Sequence, residues 1–236
     1  MRENPTVAVM QPYLFPYIGY FQLVNAVDVF VVYNDVNYIK RGWINRNRIL
    51  LNGNDYLFTV PVEDASQNRR ICDTRIIQDQ SIYLKLLATI QTNYKRAPYF
   101  SEVMPLINSV FDPLPEYIDQ LAEKSIRVFC EYLGFATLLK LSKNSYQNEE
   151  LMRADRLIDI CKKEGSKNYI NALGGNAIYS KEYFMKYGIS LSFIHTNKIH
   201  YEQFANDFIP NLSIIDVAMF NSRDSINGFM KDYQLL

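Results

Sequence analysis

The sequence predicts an α/β domain with a mainly parallel sheet flanked by helices, and three observations carry that prediction. Thr6–Met10 and Asp28–Tyr33 are continuous apolar runs rather than alternating ones, the pattern of strands covered on both faces, as in parallel sheets. A helical segment lies between them, so strand, helix and strand fit within about thirty residues as a βαβ unit. Strands and helices alternate again toward the C-terminus, around a more helical middle.

The elements follow in order. Thr6–Met10 is rich in β-branched and apolar residues and reads as the first buried strand. An aromatic loop with two prolines follows it, and residues 19–26 form a short helix. Asp28–Tyr33 is the second strand. Asn52-Gly53-Asn54 then separates two apolar runs, and because both Asn and Gly accept positive φ, residues 43–62 read as an inserted β-hairpin. Residues 71–77 are expected to form a further strand. From Ser81 the period changes, and Ile82, Leu86, Ile90 and Tyr94 share one helical face. Pro98-Tyr99-Phe100 breaks that helix, and residues 101–111 form a second. Pro115 opens a long third helix closed by Gly134. Residues 137–141 are expected to be a core strand, and the polar segment 142–150 a mobile loop. Leu151, Ala154, Leu157, Ile158 and Cys161 mark another helix, stopped by Gly165. A strand at 167–172, a helix at 180–187 and a strand at 189–194 follow. Asn211-Leu212-Ser213 caps a terminal helix from Ile214.

Composition excludes several classes. The 236 residues carry 25 Lys and Arg against 25 Asp and Glu, whereas a general nucleic-acid binder shows a basic excess. With no repeat, low-complexity tract or linker, residues 1–236 read as one domain. No apolar run reaches the length of a membrane span, and Met1-Arg2-Glu3-Asn4-Pro5 lacks the apolar region of a signal peptide, so a cytoplasmic location is expected. Cys72, Cys130 and Cys161 are widely spaced and odd in number, which suggests neither a disulfide framework nor a zinc site. His195 and His200 are the only histidines, so no metal site built on imidazoles is expected.

In parallel α/β sheets ligands sit beyond the C-terminal strand ends. Gln11-Pro12, Asn34-Asp35, Asn144-Ser145 and residues 171–176 each follow a predicted strand, so parallel strands would gather them at one crevice. Gln11 offers an amide to a ligand, or satisfies loop backbone groups. Asp35 is the first acid after a wholly apolar strand. It reads as a general base or a ligand contact, or as a carboxylate paired with Lys40 or Arg46.

Residues 34–48 place five acid or base side chains and four asparagines around Trp43, a mixture suited to a flat, anionic or sugar-like ligand. On a strand Arg46 and Arg48 share one face and Asn45 and Asn47 the other. Two guanidiniums on one face can clamp a diphosphate or a carboxylate, or can simply be solvated. Trp43 and Tyr38 offer rings for stacking on a base or sugar, or for the core. Lys40 and Asn45 complete this cluster. Gly174-Gly175-Asn176 offers free backbone N–H groups for an anion, although Gly-Gly also suits a tight turn, and Asn171 just before it is a further expected contact. No Walker A loop and no G-x-G-x-x-G is present. His195, His200, Tyr201 and Gln203 follow the last strand, and either histidine can serve as an acid or base near neutral pH, or be a plain loop histidine.

These residues resemble the WbqC-like family, end to end. Met10-Gln11-Pro12, Pro16-Tyr17-Ile18-Gly19-Tyr20-Phe21, Asp35-Val36-Asn37-Tyr38 and Asn45-Arg46-Asn47-Arg48-Ile49 carry the likeness in the N-terminal part. Thr59-Val60-Pro61, Tyr94 with Pro98-Tyr99-Phe100, and residues 157–162 continue it. Tyr201-Glu202-Gln203 and residues 208–216 close it. Two departures stand out: Met10 takes the place of the family's usual histidine, and Asn37 that of its glutamine. Asn171-Ala172-Leu173-Gly174 also lacks the serine that the family tends to have before its glycine.

The resemblance implies an enzyme of bacterial surface-polysaccharide (O-antigen, lipopolysaccharide) precursor synthesis. Its implied reaction is acyl or aminoacyl transfer to the amino group of a nucleotide-linked amino sugar. The alternatives are a nucleotidyltransferase-like enzyme with magnesium-dependent chemistry, or a non-catalytic nucleotide-sugar-binding or scaffold subunit. In the transferase reading Asp35, His195 or His200 accepts the amine proton, and the donor is an acyl thioester or an aminoacyl group, free or bound to a carrier protein. The first strand, proline loop and Gly-containing helix start also resemble HIGH-type nucleotidyl and aminoacyl-activating enzymes, which implies a HUP/Rossmann-like sheet. There Tyr17 and Tyr20 stand where that family has its two histidines, which adds Tyr20 to the expected ligand contacts.

Overall fold

The computed structural model describes residues 3–204 and 207–236. In chain order the first elements are β1 (Thr6–Met10), α1 (Ile18–Asn25), β2 (Val29–Val32), β3 (Arg46–Leu51), β4 (Asn54–Thr59), α2 (Gln80–Tyr94), α3 (Phe100–Phe111) and α4 (Ile118–Leu133). They are followed by β5 (Leu138–Leu141), α5 (Arg153–Lys163), β6 (Asn168–Ala172), α6 (Lys181–Met185), β7 (Ser190–Thr196), α7 (Ile214–Phe220), α8 (Arg223–Phe229) and β8 (Tyr233–Leu235).

Six strands form one sheet in the order β5-β2-β1-β6-β7-β8, parallel except for β8, which runs antiparallel to β7. The chain first winds outward from β1 through β2 to β5, then returns to the other side of β1 with β6. That reversal opens a crevice beyond the C-terminal ends of β1 and β6, where open α/β sheets bind ligands.

The apolar runs are continuous because the sheet is covered on both sides. Ala8, Phe30, Val32, Ile170 and Ile194 face a cluster with α1, α2, α3, α4, α7 and α8. Val7, Val9, Val29, Val31, Tyr169, Leu191 and Phe193 face the opposite cluster, with α5 and α6. Alternate side chains along a strand point to opposite faces, so burial on both requires apolar residues at every position.

The hairpin β3–β4 turns at Asn52 (φ 51°) and Gly53 (φ 77°), two consecutive positive φ values, as its sequence demands. Its buried side chains, Ile49, Leu50 and Phe58, join the larger cluster. Two hydrogen bonds fasten it there: Tyr94 Oη accepts from the Leu50 N–H at 2.8 Å, and the Arg48 carbonyl accepts from the Ser213 N–H at 2.9 Å.

Three expectations are corrected, and one strand was not foreseen. Residues 71–77 form a 3-10 turn at Ile71–Asp73 rather than a strand. That segment pairs only through single bridges, Val62 with Ile76 and Arg75 with Tyr117. β5 is an edge strand with Leu138 and Leu141 exposed, not a core strand. The loop 142–150 is held in place, because Tyr146 Oη donates to Glu164 at 2.7 Å and Asn148 bonds Arg156 and Asp159. β8 carried no sequence signal, since its three residues gain strand geometry only by pairing with β7.

Candidate functional site

The loop between β1 and α1 builds one wall of the crevice. Leu14 and Phe15 are fully buried and anchor it. Phe15 takes a positive φ of 44°, a conformation that costs of order 1–3 kcal/mol for a residue with a side chain. Burying a phenylalanine returns about as much, 1.5–3 kcal/mol, so hydrogen bonds tip the balance. The Phe15 N–H donates to Ser125 Oγ at 2.9 Å, and its carbonyl accepts from Asn47 Nδ2 at 2.7 Å and Ser213 Oγ at 2.8 Å. Asn47 Nδ2 also reaches the Leu14 carbonyl at 3.0 Å. One amide thereby ties the hairpin to the loop.

With Leu14 and Phe15 pinned, Tyr13 and Tyr17 stand half-buried beside the hairpin. They line a hollow of about 340 Å³ with Trp43, Asn47, Arg48 and Asn211. The guanidiniums of Arg46 and Arg48 lie 5.8 and 5.6 Å from the Trp43 ring centroid, so both arginines share one indole, as strand alternation requires. Arg48 Nη1 meets Asp55 Oδ2 at 3.1 Å, but that pair is exposed and worth little. Arg48 Nε is buried without a hydrogen-bond partner. Burial holds the phenols of Tyr13 and Tyr17 above their ordinary pKa, with the Tyr17 charge adding to the effect on Tyr13. Both therefore remain hydrogen-bond donors at neutral pH.

A second hollow of about 590 Å³ adjoins the first and shares Asn211 with it. Ile18, Ile199, Tyr201, Phe208, Leu212 and Val217 form its apolar lining, while Thr196, Asn197, Lys198 and His200 stand among them. The two hollows meet at the start of α1, where Gly19 allows the close approach. A Cβ there would lie 2.5 Å from Tyr17 Cε2 and 2.6 Å from Thr196 Oγ1. Among the described residues no carboxylate lines either hollow; Arg48, Lys198 and His200 supply the basic groups. Lys198 makes no ion pair among the described residues, and the His200 ring packs 4.5 Å from that of Phe208.

The second hollow's wall is braced from behind. Asp216 Oδ1 accepts from Tyr201 Oη at 2.7 Å and Gln203 Nε2 at 2.6 Å, and Oδ2 accepts from Tyr94 Oη at 2.7 Å. Gln203 also exchanges two bonds with the Ile209 backbone, at 3.1 and 2.7 Å, which closes the loop between β7 and α7 on itself. Burial raises the Asp216 carboxyl above the ordinary carboxylate range, against the pull of its three donors.

The structure brings Trp43, Arg48, His200 and Tyr201 to the two hollows and sets the other expected residues elsewhere. Arg46 sits beside them on Trp43, its Nε donating to the Gly42 carbonyl at 2.8 Å. Asp35 lines neither hollow. It is paired with Arg156 at 2.6 Å, with both side chains almost fully buried, and it accepts from Ser142 Oγ at 2.5 Å. Tyr38 Oη donates to Asn45 Oδ1 at 2.7 Å, and Asn45 Nδ2 donates to the Val60 carbonyl at 2.7 Å, so both brace the hairpin base. Tyr20 is buried and donates to the Gln11 carbonyl at 2.9 Å, its ring 5.6 Å from that of Tyr13. Asn171 bonds the Ala172 N–H and packs against buried Gly175, while Gly174 is exposed. Lys40 and His195 are exposed and line neither hollow. The three cysteines are buried and form no disulfide, and burial raises Cys72 to about 11 and both Cys130 and Cys161 to about 12, so none is a ready thiolate.

Sequence reasoning did not single out Tyr13, Lys198 or Asn211, and it named Tyr17 only for standing where the HIGH-type enzymes have a histidine. The tyrosines belong to the aromatic loop that stood out as a block, and Asn211 to the conspicuous run 208–216. No pattern links those runs to Trp43, because their meeting depends on the path of the chain around the sheet. Among the described residues no group of three or more His, Cys, Asp or Glu is placed to hold a metal ion. No helix there is long and apolar enough to cross a membrane.

The chain is similar to the uncharacterized protein Rv1507c of Mycobacterium tuberculosis, with 28% identity over 220 residues, which covers 91% of this chain and 93% of the relative. No solved structure matches it. The model of the WbqC-like protein family matches residues 11–228, a span that contains the aromatic loop, the hairpin and both hollows, and the chain therefore belongs to the WbqC-like family.

Proposed function

We propose that this protein is an enzyme of bacterial surface-polysaccharide precursor synthesis that transfers an acyl or aminoacyl group to the amino group of a nucleotide-linked amino sugar. One observation carries the reading: a chain with no net charge has, beside the loop between β1 and α1, adjoining hollows with basic and aromatic side chains and, among the described residues, no carboxylate. Such a lining suits an anion that also bears flat rings. In the smaller hollow Trp43 offers a stacking face and Arg48 a guanidinium for the diphosphate. Tyr13 and Tyr17 donate to sugar or phosphate oxygens.

The attacking amine must be neutral. Its nitrogen bonds to the acyl carbon, the bond from that carbon to the donor's leaving group breaks, and the amine proton passes through a base to the leaving group. His200, which lines the same hollow as Asn211 and makes no hydrogen bond among the described residues, is the base that this geometry favours over Asp35, whose carboxylate is engaged by Arg156.

A thermal-shift screen with UDP- and dTDP-linked amino sugars, nucleoside triphosphates with magnesium, and acyl thioesters tests the reading. A ligand present at a hundred times its Kd stabilises the native state by about 2.7 kcal/mol. For a chain of this length that corresponds to a rise in Tm of roughly 5–10 °C. A rise with nucleotide sugars supports the transferase. A rise with triphosphates and magnesium alone supports nucleotidyl transfer instead. In the transferase, His200→Ala lowers turnover about 10²–10⁴-fold with nucleotide-sugar binding retained. Tight nucleotide-sugar binding with no effect of His200→Ala on any transfer would identify a binding subunit.

A further inference from the structure

We propose that the larger hollow is the donor compartment, and that it takes a phosphopantetheine thioester by an apolar acyl chain, with Lys198 meeting the donor's phosphate. The inference deepens the transferase reading and rests on it.

The two hollows differ in chemistry as two substrates would. The smaller one presents a guanidinium, an amide, an indole and two phenols, and suits a nucleotide diphosphate sugar. The larger one, of about 590 Å³, is within the range of small-molecule sites, which are mostly apolar with a few placed polar groups. Ile18, Leu212 and Val217 are buried there, and the Tyr201 and Phe208 rings meet edge-on at 5.0 Å. An amino acid with a free ammonium would find no carboxylate among those walls. An alkyl chain would find apolar surface.

Lys198 and His200 are exposed side chains of the same lining, so a donor with a buried chain can keep its phosphate at the solvent side. Asn211, shared by both hollows, marks where the substrates meet. The reaction balances without a further reagent. The amine nitrogen bonds to the thioester carbon, the C–S bond breaks, and the amine proton passes through His200 to the departing thiolate, which leaves as a thiol.

Binding to the full chain tests the assignment, with UDP, acetyl-CoA, butyryl-CoA and butyryl-pantetheine as probes in titration calorimetry. Two added methylenes should make butyryl-CoA roughly fifteenfold tighter than acetyl-CoA. Lys198→Glu, a substitution at an exposed side chain, should weaken butyryl-CoA about tenfold or more and leave butyryl-pantetheine unchanged. Arg48→Ala should weaken UDP and leave butyryl-CoA unchanged. If the donor is carried on a protein, butyryl-phosphopantetheine should bind as tightly as butyryl-CoA, with the same chain-length preference and the same dependence on Lys198, because the nucleotide of CoA then adds nothing. UDP binding that depends on Arg48, with no thioester bound at all, overturns the donor assignment alone. Competition between UDP and butyryl-CoA for one Arg48-dependent site overturns it as well. Failure of both UDP and the thioesters removes the transferase reading with it.

Discussion

Arg156 Nη2 lies 2.6 Å from Asp35 Oδ2, and the two residues stand 121 positions apart in the chain. Asp35 follows β2 and Arg156 belongs to α5, so this pair locks the helix onto the C-terminal edge of the sheet. Each Asp35 oxygen has a donor of its own. Ser142 bonds the other Asp35 oxygen, Asn148 accepts from Arg156 Nε at 3.0 Å, and the guanidinium lies 4.7 Å from the Tyr33 ring centroid. A carboxylate so engaged is poorly available to take a proton from a substrate.

Removing one member of this pair leaves an uncompensated buried charge. Asp35→Asn is expected to cost about 3–5 kcal/mol, read as a lowered midpoint in urea denaturation. Asp35→Leu combined with Arg156→Met should recover a large part of that loss, because an apolar replacement removes the stranded charge. A single Asp35→Asn variant of unchanged stability but no activity would restore Asp35 to a catalytic role.

Arg48 should matter for binding more than for folding. Its ion pair with Asp55 is exposed, so Arg48→Ala is expected to change stability by less than about 1 kcal/mol. Loss of a charge-assisted contact to a diphosphate should weaken nucleotide binding by about 1.5–3 kcal/mol, or roughly ten- to over a hundredfold. Calorimetry with UDP and a thermal melt of the same variant separate the two effects.

Gly19 holds the junction of the two hollows. Gly19→Ala places a methyl group against the Tyr17 ring and the Thr196 hydroxyl, at 2.5 and 2.6 Å. Overpacking of this kind costs about 1–3 kcal/mol. The start of α1 is expected to shift, with both lower Tm and weaker ligand binding. A variant that melts and binds as the parent does would show that Tyr17 and Thr196 separate freely.

Asp216 gives a stability effect whose sign follows from its raised pKa. A folded carboxyl that protonates at higher pH than its unfolded counterpart gains stability as pH falls through its folded pKa. The gain is complete once pH drops below the ordinary value of 3.8, where the unfolded chain protonates too. Asp216→Asn cannot titrate. The stability of the parent relative to this variant should therefore rise as pH is lowered from neutral toward 3.8. Parallel pH profiles for the two proteins, measured by chemical denaturation, would remove the proposed linkage.

Local chemistry in the sequence determined much of this molecule. Continuous apolarity marked β1 and β2 as covered on both faces, Asn52-Gly53 required the tight hairpin turn, and strand alternation put Arg46 and Arg48 on one side. Each of these follows from backbone sterics or a two-residue repeat, which neighbouring residues alone can set. Membership of the candidate site was another matter. Asp35 and His200 both follow apolar strands and looked alike in sequence, yet one is buried against Arg156 and the other lines a hollow. Periodicity says which side chains leave the solvent but not what they meet. Only the reversal of strand order at β1, which brings β6, β7 and the segment before α7 back beside the aromatic loop, decided that Asn211 would join Trp43 and Arg48.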